Sequence, residues 1–347
     1  MRALCGVAAA AAALVVPAAA GAGHPPPIRR TEHVARVSPC NHPPRTALTY
    51  HYPIRPFDRQ HPIRGFFGDP RTFAESPIGD DSPRSAGSFT FHNGVDIAAP
   101  TGTRVYPVVS GVVTALLYAD EVTVSTSDER RFQYFHIRPR VRLGERVVVD
   151  RTVLGTVGRE WLHVHLTEID VFRPHNPLDP GHLEPYRDHT APAVDGLVFR
   201  NAEGRDTGPL HLHGLVRIAA DAEDRTPVPV PGTWFGFPVT PAYVAWHLST
   251  PSGKVVVPTD VVADFRRTEP YNRDFWRVYA PGTYQNFPVF GRRFYWHVPG
   301  RYLFNLTPRP LDTLRLADGS YRLTVNVADT CGNRGSLTEA VSISNER

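Results

Sequence analysis

The feature that most constrains this chain is its lack of a sustained helical period, because its apolar residues do not recur at the three- and four-residue spacing of a helix face. From Arg64 to about Asp170 they come instead in short β-branched runs punctuated by glycine: Val105 to Val113, Glu121 to Ser125, Arg131 to Ile137, Arg146 to Val149 and Trp161 to Ile169. A boundary falls near Arg187 to Pro192. Beyond it, runs such as Leu215 to Ala220, Tyr243 to Leu248, Lys254 to Val257 and Tyr321 to Val327 alternate apolar with polar residues, as strands with one buried face do. The expected fold is all-β, with antiparallel sheets in a first unit and a β-sandwich in a second. The aromatic, arginine-rich stretch from about Val261 to Arg301 alternates weakly and is assigned to no element.

At 347 residues the chain exceeds what one hydrophobic core usually serves, so two folded units are expected. The reading is a signal peptide over 1–22, an extended Pro/Arg/His-rich arm over 23–60 whose histidines are solvated, a first domain over 61–187 and a second over 188–347. The signal peptide rests on Arg2, the apolar run Ala3 to Val16, the helix-breaking Pro17 and the small residues Ala18, Ala20 and Ala22. That run is too short to span a bilayer, and no later segment is long and apolar enough. An exported protein, extracellular or in the cell envelope, is the expectation.

Once Cys5 leaves with the signal, Cys40 and Cys331 remain. Two cysteines in an oxidising compartment commonly pair, which would tie the arm to the last domain, although sequence does not show whether the two positions meet. The net charge of +4 suits an anionic cell-wall polymer without requiring one. Nucleic acid is not indicated: no basic cluster is interleaved with aromatic residues, and Lys254 is the only lysine.

The segment Phe91-His92-Asn93-Gly94-Val95-Asp96-Ile97-Ala98-Ala99-Pro100 places a histidine and a carboxylate four apart. Asn93-Gly94 and Pro100 argue against a helix there. A straight strand would hold the pair roughly 13 Å apart, too far to share one metal ion at about 2 Å from each donor. A bend at Asn93-Gly94, with glycine free to take a positive φ, would bring them together. In Leu162-His163-Val164-His165-Leu166, strand alternation turns both imidazoles to one face while the aliphatic residues enter the core. Tyr134-Phe135-His136-Ile137 supplies a further histidine at the end of a strand-like run. Two histidines and one carboxylate with an open fourth position make a catalytic set, not a closed structural one, and the chain is too poor in cysteine for a thiolate site.

The ordered set Gly65-Phe66-Phe67-Gly68, His92-Asn93-Gly94-Val95-Asp96-Ile97, Gly102 to Gly111, Tyr134-Phe135-His136-Ile137, Gly144, Gly155, His163-Val164-His165 and Asn176-Pro177-Leu178 resembles the lysostaphin-like (LytM-type) zinc endopeptidases over about residues 60 to 185. The resemblance implies a duplicated hybrid motif fold and one Zn2+ per chain, held by His92, Asp96 and His165. It implies catalytic roles for His163 and His136, and hydrolysis of amide bonds in peptidoglycan cross-links or another peptide substrate. The loop Gly158-Arg159-Glu160-Trp161-Leu162 departs from the small-residue stretch expected there. Trp161 is read as a packing residue of the cleft wall. A second His-x-His, His211 and His213, lies past the domain boundary, without the trailing Asn-Pro-Leu, and is set aside.

Leu316 to Val325 with Val327 to Asn333 is similar to the closing hairpin of immunoglobulin-like domains, the Asp318-Gly319 pair supplying a turn. The rival expectation is a non-catalytic module of the same fold that binds cell wall or regulates another hydrolase.

Overall fold

The computed structural model describes residues 40, 48–73, 88–117, 119–159, 161–285 and 299–345. The expected signal segment and most of the arm lie outside them. The chain is all-β, as its periodicity predicts, with one short helix among the described residues, Phe275–Val278. In the first half a sheet runs in the order Ile63–Gly65, Val95–Ala98, His163–Asp170, Arg131–Phe135, Glu121–Ser125, Gly111–Leu117 and Arg146–Val147, with Arg173–His175 added beside His163–Asp170. Its pairings are antiparallel. A smaller sheet joins Arg104–Val105, Gly155–Val157 and Ile137–Pro139. The single run expected from Val105 to Val113 is two strands, because Pro107 lies between them and cannot donate to a ladder.

In the second half one sheet is built around the long strand Leu215–Arg225, and another runs Val255–Asp264, Tyr243–Ser249, Gly319–Ala328, Arg334–Ile343. Both contribute to one core, Val216 and Ile218 from the first sheet and Trp246, Val325 and Leu337 from the second. The unassigned stretch after Val261 completes a strand to Asp264 and then turns through Asn272–Asp274 into Phe275–Val278. Its aromatic residues Phe265, Phe275 and Tyr279 are core; residues 286–298 fall outside the description.

Packing crosses the expected boundary. Phe89 and Phe91, on the strand that leads into His92, pack against Phe275, and Phe91 also against Phe265 and Tyr279, so the core of the second half extends into the first. Gly68 sits at this seam with φ +89°, and a Cβ there would come within 2.4 Å of the Phe265 ring. The arm also differs from expectation. Tyr50, Tyr52, Pro53 and Ile54 are buried, apolar contacts hidden in a stretch rich in Pro, Arg and His. The Tyr50 hydroxyl donates to Glu168 at 2.7 Å, and His51, half-buried beside the Glu184 carbonyl, is not simply solvated.

Cys40 and Cys331 are disulfide-bonded across 291 residues of sequence. Chain-entropy reasoning gives a cross-link of such span a stabilising effect of roughly 2–5 kcal/mol. Replacing both cysteines by serine should therefore lower the urea midpoint, with an m-value that rises as the freed unfolded chain expands, and an unchanged midpoint would show that the bridge contributes nothing.

Candidate metal centre

Three of the five candidate side chains arise from two adjacent antiparallel strands. In the register of Val95–Ala98 against His163–Asp170, His165 stands opposite Asp96 and His163 opposite Ala98, so alternation turns Asp96, His163 and His165 to one side. His92 arrives from the preceding bend. Gly94 serves this bend by close approach and not, as expected, by a positive φ. A Cβ there would lie 2.3 Å from the Leu166 carbonyl oxygen and 2.8 Å from His165 Nε2. Gly94→Ala must push these strands apart, and should destabilise the protein by on the order of 1–3 kcal/mol. Urea unfolding checks this; a midpoint equal to that of the unsubstituted chain would remove the close-approach argument.

His92 Nε2 is 3.1 Å from Asp96 Oδ1 and 2.8 Å from His165 Nδ1, which is itself 3.1 Å from Asp96 Oδ1. The outer atoms are already engaged. His92 Nδ1 faces the Phe66 carbonyl at 2.8 Å, and since a carbonyl only accepts, that nitrogen carries the proton and Nε2 keeps its lone pair. His165 Nε2 meets the Thr167 hydroxyl at 2.7 Å, leaving Nδ1 turned inward. Arg71 donates to Asp96 Oδ2 at 2.8 Å and leaves Oδ1 for the centre. Two imidazole nitrogens and a carboxylate oxygen thus converge with their other polar atoms held by protein partners, a group that could hold a metal ion.

His163 lines the same centre. Its Nδ1 donates to the Trp161 carbonyl at 2.5 Å, so its Nε2, 3.4 Å from Asp96 Oδ1, is the unprotonated atom facing inward. His136 stands farther out, its ring centre 4.7 Å from that of His163 and 6.3 Å from that of His165. It holds a left-handed φ of 67°, and its ring stacks on Trp161 at 4.1 Å. Trp161 therefore packs on a histidine of the site, in keeping with its reading as a wall residue.

Burial dominates the electrostatics. It pushes the His92 imidazole down to about 3, with Arg71 adding to the effect, and His136 down to about 2, helped by His163 and His165. His163 is lowered by the same cause. Burial alone would push the Asp96 carboxyl up, but His92, His163 and Arg71 outweigh it and hold that group well below the usual carboxylate range. His92, Asp96, His163 and His165 are each at most 8% exposed.

The residues that sequence reasoning missed are those that hold the ligands in place. Arg64 approaches Asp96 Oδ2 at 3.7 Å while its guanidinium lies 4.3 Å from the Trp234 ring centre. Asp69 accepts from the Phe66 and Thr240 amides and from Gln285 Nε2, linking the segment behind His92 to the second half. No motif marks these residues, because each acts through a partner distant in sequence. His211 and His213 belong to no metal-binding group among the described residues. A further cluster, His175, Asp179 and His182, has its two imidazoles stacked 4.4 Å apart and 12° from parallel, so their in-plane lone pairs do not converge.

No family model and no curated protein matches the sequence. Among solved structures, the chain is similar to a zinc-containing peptidase from Vibrio cholerae, with 22% identity and a TM-score of 0.29 over 40% of each chain. It is similar as well to the catalytic domain of a prophage-encoded M23 protein, EnpA, from Enterococcus faecalis, with 23% identity and a TM-score of 0.26 over 38% of this chain and 96% of that one. A chain of the SpoIIIAH and SpoIIQ complex is 19% identical with a TM-score of 0.28, over 38% and 98%. M23 peptidases are thus among its structural neighbours, and the chain spans two-fifths of the length of the first. Values this low carry no argument about activity.

Proposed function

We propose that this chain is a zinc metalloendopeptidase that hydrolyses amide bonds in peptide cross-links of peptidoglycan, with His92, Asp96 and His165 as metal ligands. The observation that carries the reading is the convergence of His92 Nε2, Asp96 Oδ1 and His165 Nδ1 within 3.1 Å of one another while protein partners engage their outer atoms. Three lone pairs facing one point in a buried site repel unless a cation lies among them. When bound, zinc supplies Lewis acidity, polarising a carbonyl oxygen and lowering the pKa of a water toward about 7.

The chain's own residues supply the rest. His163, with its proton fixed on Nδ1 by the Trp161 carbonyl, presents Nε2 as the base that takes a proton from the attacking water and returns it to the leaving amine. His136, stacked on Trp161 beside it, is placed to steady charge developing on the carbonyl oxygen. Peptidoglycan as substrate rests on the resemblance in the motifs. Export rests on the N-terminal apolar run, and the Cys40–Cys331 bond supports an oxidising compartment. The second half is read as an immunoglobulin-like sandwich that braces the site.

The near-complete burial of the four central side chains favours one rival, a binding or regulatory module that holds zinc without cutting. Zinc content together with amine release from cell walls separates the two. One zinc per chain, absent from Asp96→Ala, with amines released only by the zinc-loaded protein, is the expected result. Zinc without amine release would establish the module, and zinc retained in Asp96→Ala would remove the proposed centre.

A further inference from the structure

Away from the histidines, three carboxylates meet where the two halves join. Asp188 comes from the connection between the halves, Asp224 from the Leu215–Arg225 strand, and Asp329 from the turn between Gly319–Ala328 and Arg334–Ile343. They are 0%, 1% and 3% exposed, and one oxygen of each lies within 4.8 Å of the others. No Lys, Arg or His among the described residues forms an ion pair with any of the three. The adjoining Arg187 and Arg225 are turned to Glu184 and Glu223 instead.

Local donors hold two of the carboxylates in position. Asp188 accepts from the Thr190 amide at 2.8 Å and the Tyr186 hydroxyl at 3.2 Å, and Asp329 accepts from the Asn333 amide at 2.8 Å and Asn333 Nδ2 at 2.6 Å. Asp224 differs. Its Oδ1 accepts from the Arg225 amide at 2.7 Å, but its Oδ2 is buried and has no donor among the described residues. A small cavity of about 10 Å³, room for a single water-sized body, borders Asp224 and Asp329. Burying a carboxylate oxygen without a partner is strongly unfavourable, and drawing two more carboxylates onto it adds repulsion. The strain shows in the acidities: burial pushes Asp188 up to about 6 and Asp329 up to about 7.

We propose that Asp188, Asp224 and Asp329 bind one calcium ion, which clasps the connection and the two sheets of the second half together. The donors are all oxygen, with neither imidazole nor thiolate, so the site suits a hard cation and not zinc. Oxygens within 4.8 Å of one another match the spacing around an ion bonded at about 2.3–2.6 Å, and calcium's irregular coordination tolerates donors fixed by a turn, a linker and a strand. The ion would lie two residues from Cys331, so disulfide and cation would secure one junction. The inference does not depend on the peptidase reading.

The test is calcium titration of the full mature chain after metal stripping, followed by calorimetry and thermal unfolding at pH 7.5. We expect one calcium per chain and a rise in Tm on the order of 5 °C at saturation, since a ligand that binds only the native state stabilises by mass action. Asp224→Asn keeps the shape and removes the charge, and should abolish both binding and the Tm rise; Asp329→Asn should do the same. Asp96→Ala, altered only at the histidine centre, should retain them. An absence of calcium heat with equal Tm in calcium and in chelator would overturn the proposal. So would a calcium response that survives both Asn variants, or one that is lost in Asp96→Ala.

Discussion

In the zinc-loaded protein, His163→Ala is expected to slow peptide hydrolysis by roughly 10²–10⁴-fold while leaving one zinc bound per chain. The separation of the two readouts follows from geometry. His163 Nε2 stands 3.4 Å from Asp96 Oδ1 but is not one of the three donors that converge, whose own outer bonds run to Phe66, Thr167 and Arg71 and not to His163. Removing it deletes the inward-facing base and leaves the ligand set oriented. Amine release from cell walls and zinc content on the same preparation check this. Unchanged hydrolysis would take the base away from His163. Parallel loss of zinc would make it a ligand instead.

What could be read from sequence here was local. Alternation turned His163 and His165 to one face, and the register places that face against Asp96. The bend at Asn93-Gly94 was legible as a bend, yet its cause was not. The glycine is needed because the Leu166 carbonyl passes where a Cβ would stand, and that neighbour is more than seventy residues away. The arm shows the same limit. Tyr50, Tyr52 and Ile54 are buried in a stretch whose Pro-, Arg- and His-rich composition conceals them, and Tyr50 meets Glu168 and Phe132, more than eighty residues away.

The least legible layer joins the halves. Asp69 bonds to Thr240 and Gln285, and the Tyr279 hydroxyl donates to the Gly68 carbonyl. The Gly68-Asp69 segment, whose backbone bonds to that of His92, is therefore positioned by residues from beyond the expected domain boundary. Sequence spacing shows where the chemistry-bearing side chains lie along a strand. It does not show which charged groups from other strands will pin them, because that depends on pairings between segments remote in the chain.

Arg71 is where that hidden layer should have its largest effect. Arg71→Met is expected to destabilise the metal-free protein by roughly 3–5 kcal/mol, the loss typical when one partner of a buried ion pair is removed. The guanidinium, with its side chain 13% exposed, bonds Asp96 Oδ2 at 2.8 Å and lies 3.7 Å from Asp69 Oδ2. Gly65 makes room for the pair, since a Cβ there would fall 2.6 Å from Asp96 Oδ2 and 2.8 Å from Arg71 Nη2. Asp69 would keep its bonds from Phe66, Thr240 and Gln285, so the deficit falls mainly on Asp96, left as a buried anion whose remaining guanidinium neighbour is 3.7 Å away. Arg71→Lys restores the charge without the planar fork and should fall between Arg71→Met and the unsubstituted chain. Urea unfolding in chelator measures all three. An unfolding free energy for Arg71→Met within about 0.5 kcal/mol of that of the unsubstituted protein, the range of an ordinary surface substitution, would show that Arg71 does not hold Asp96 in place.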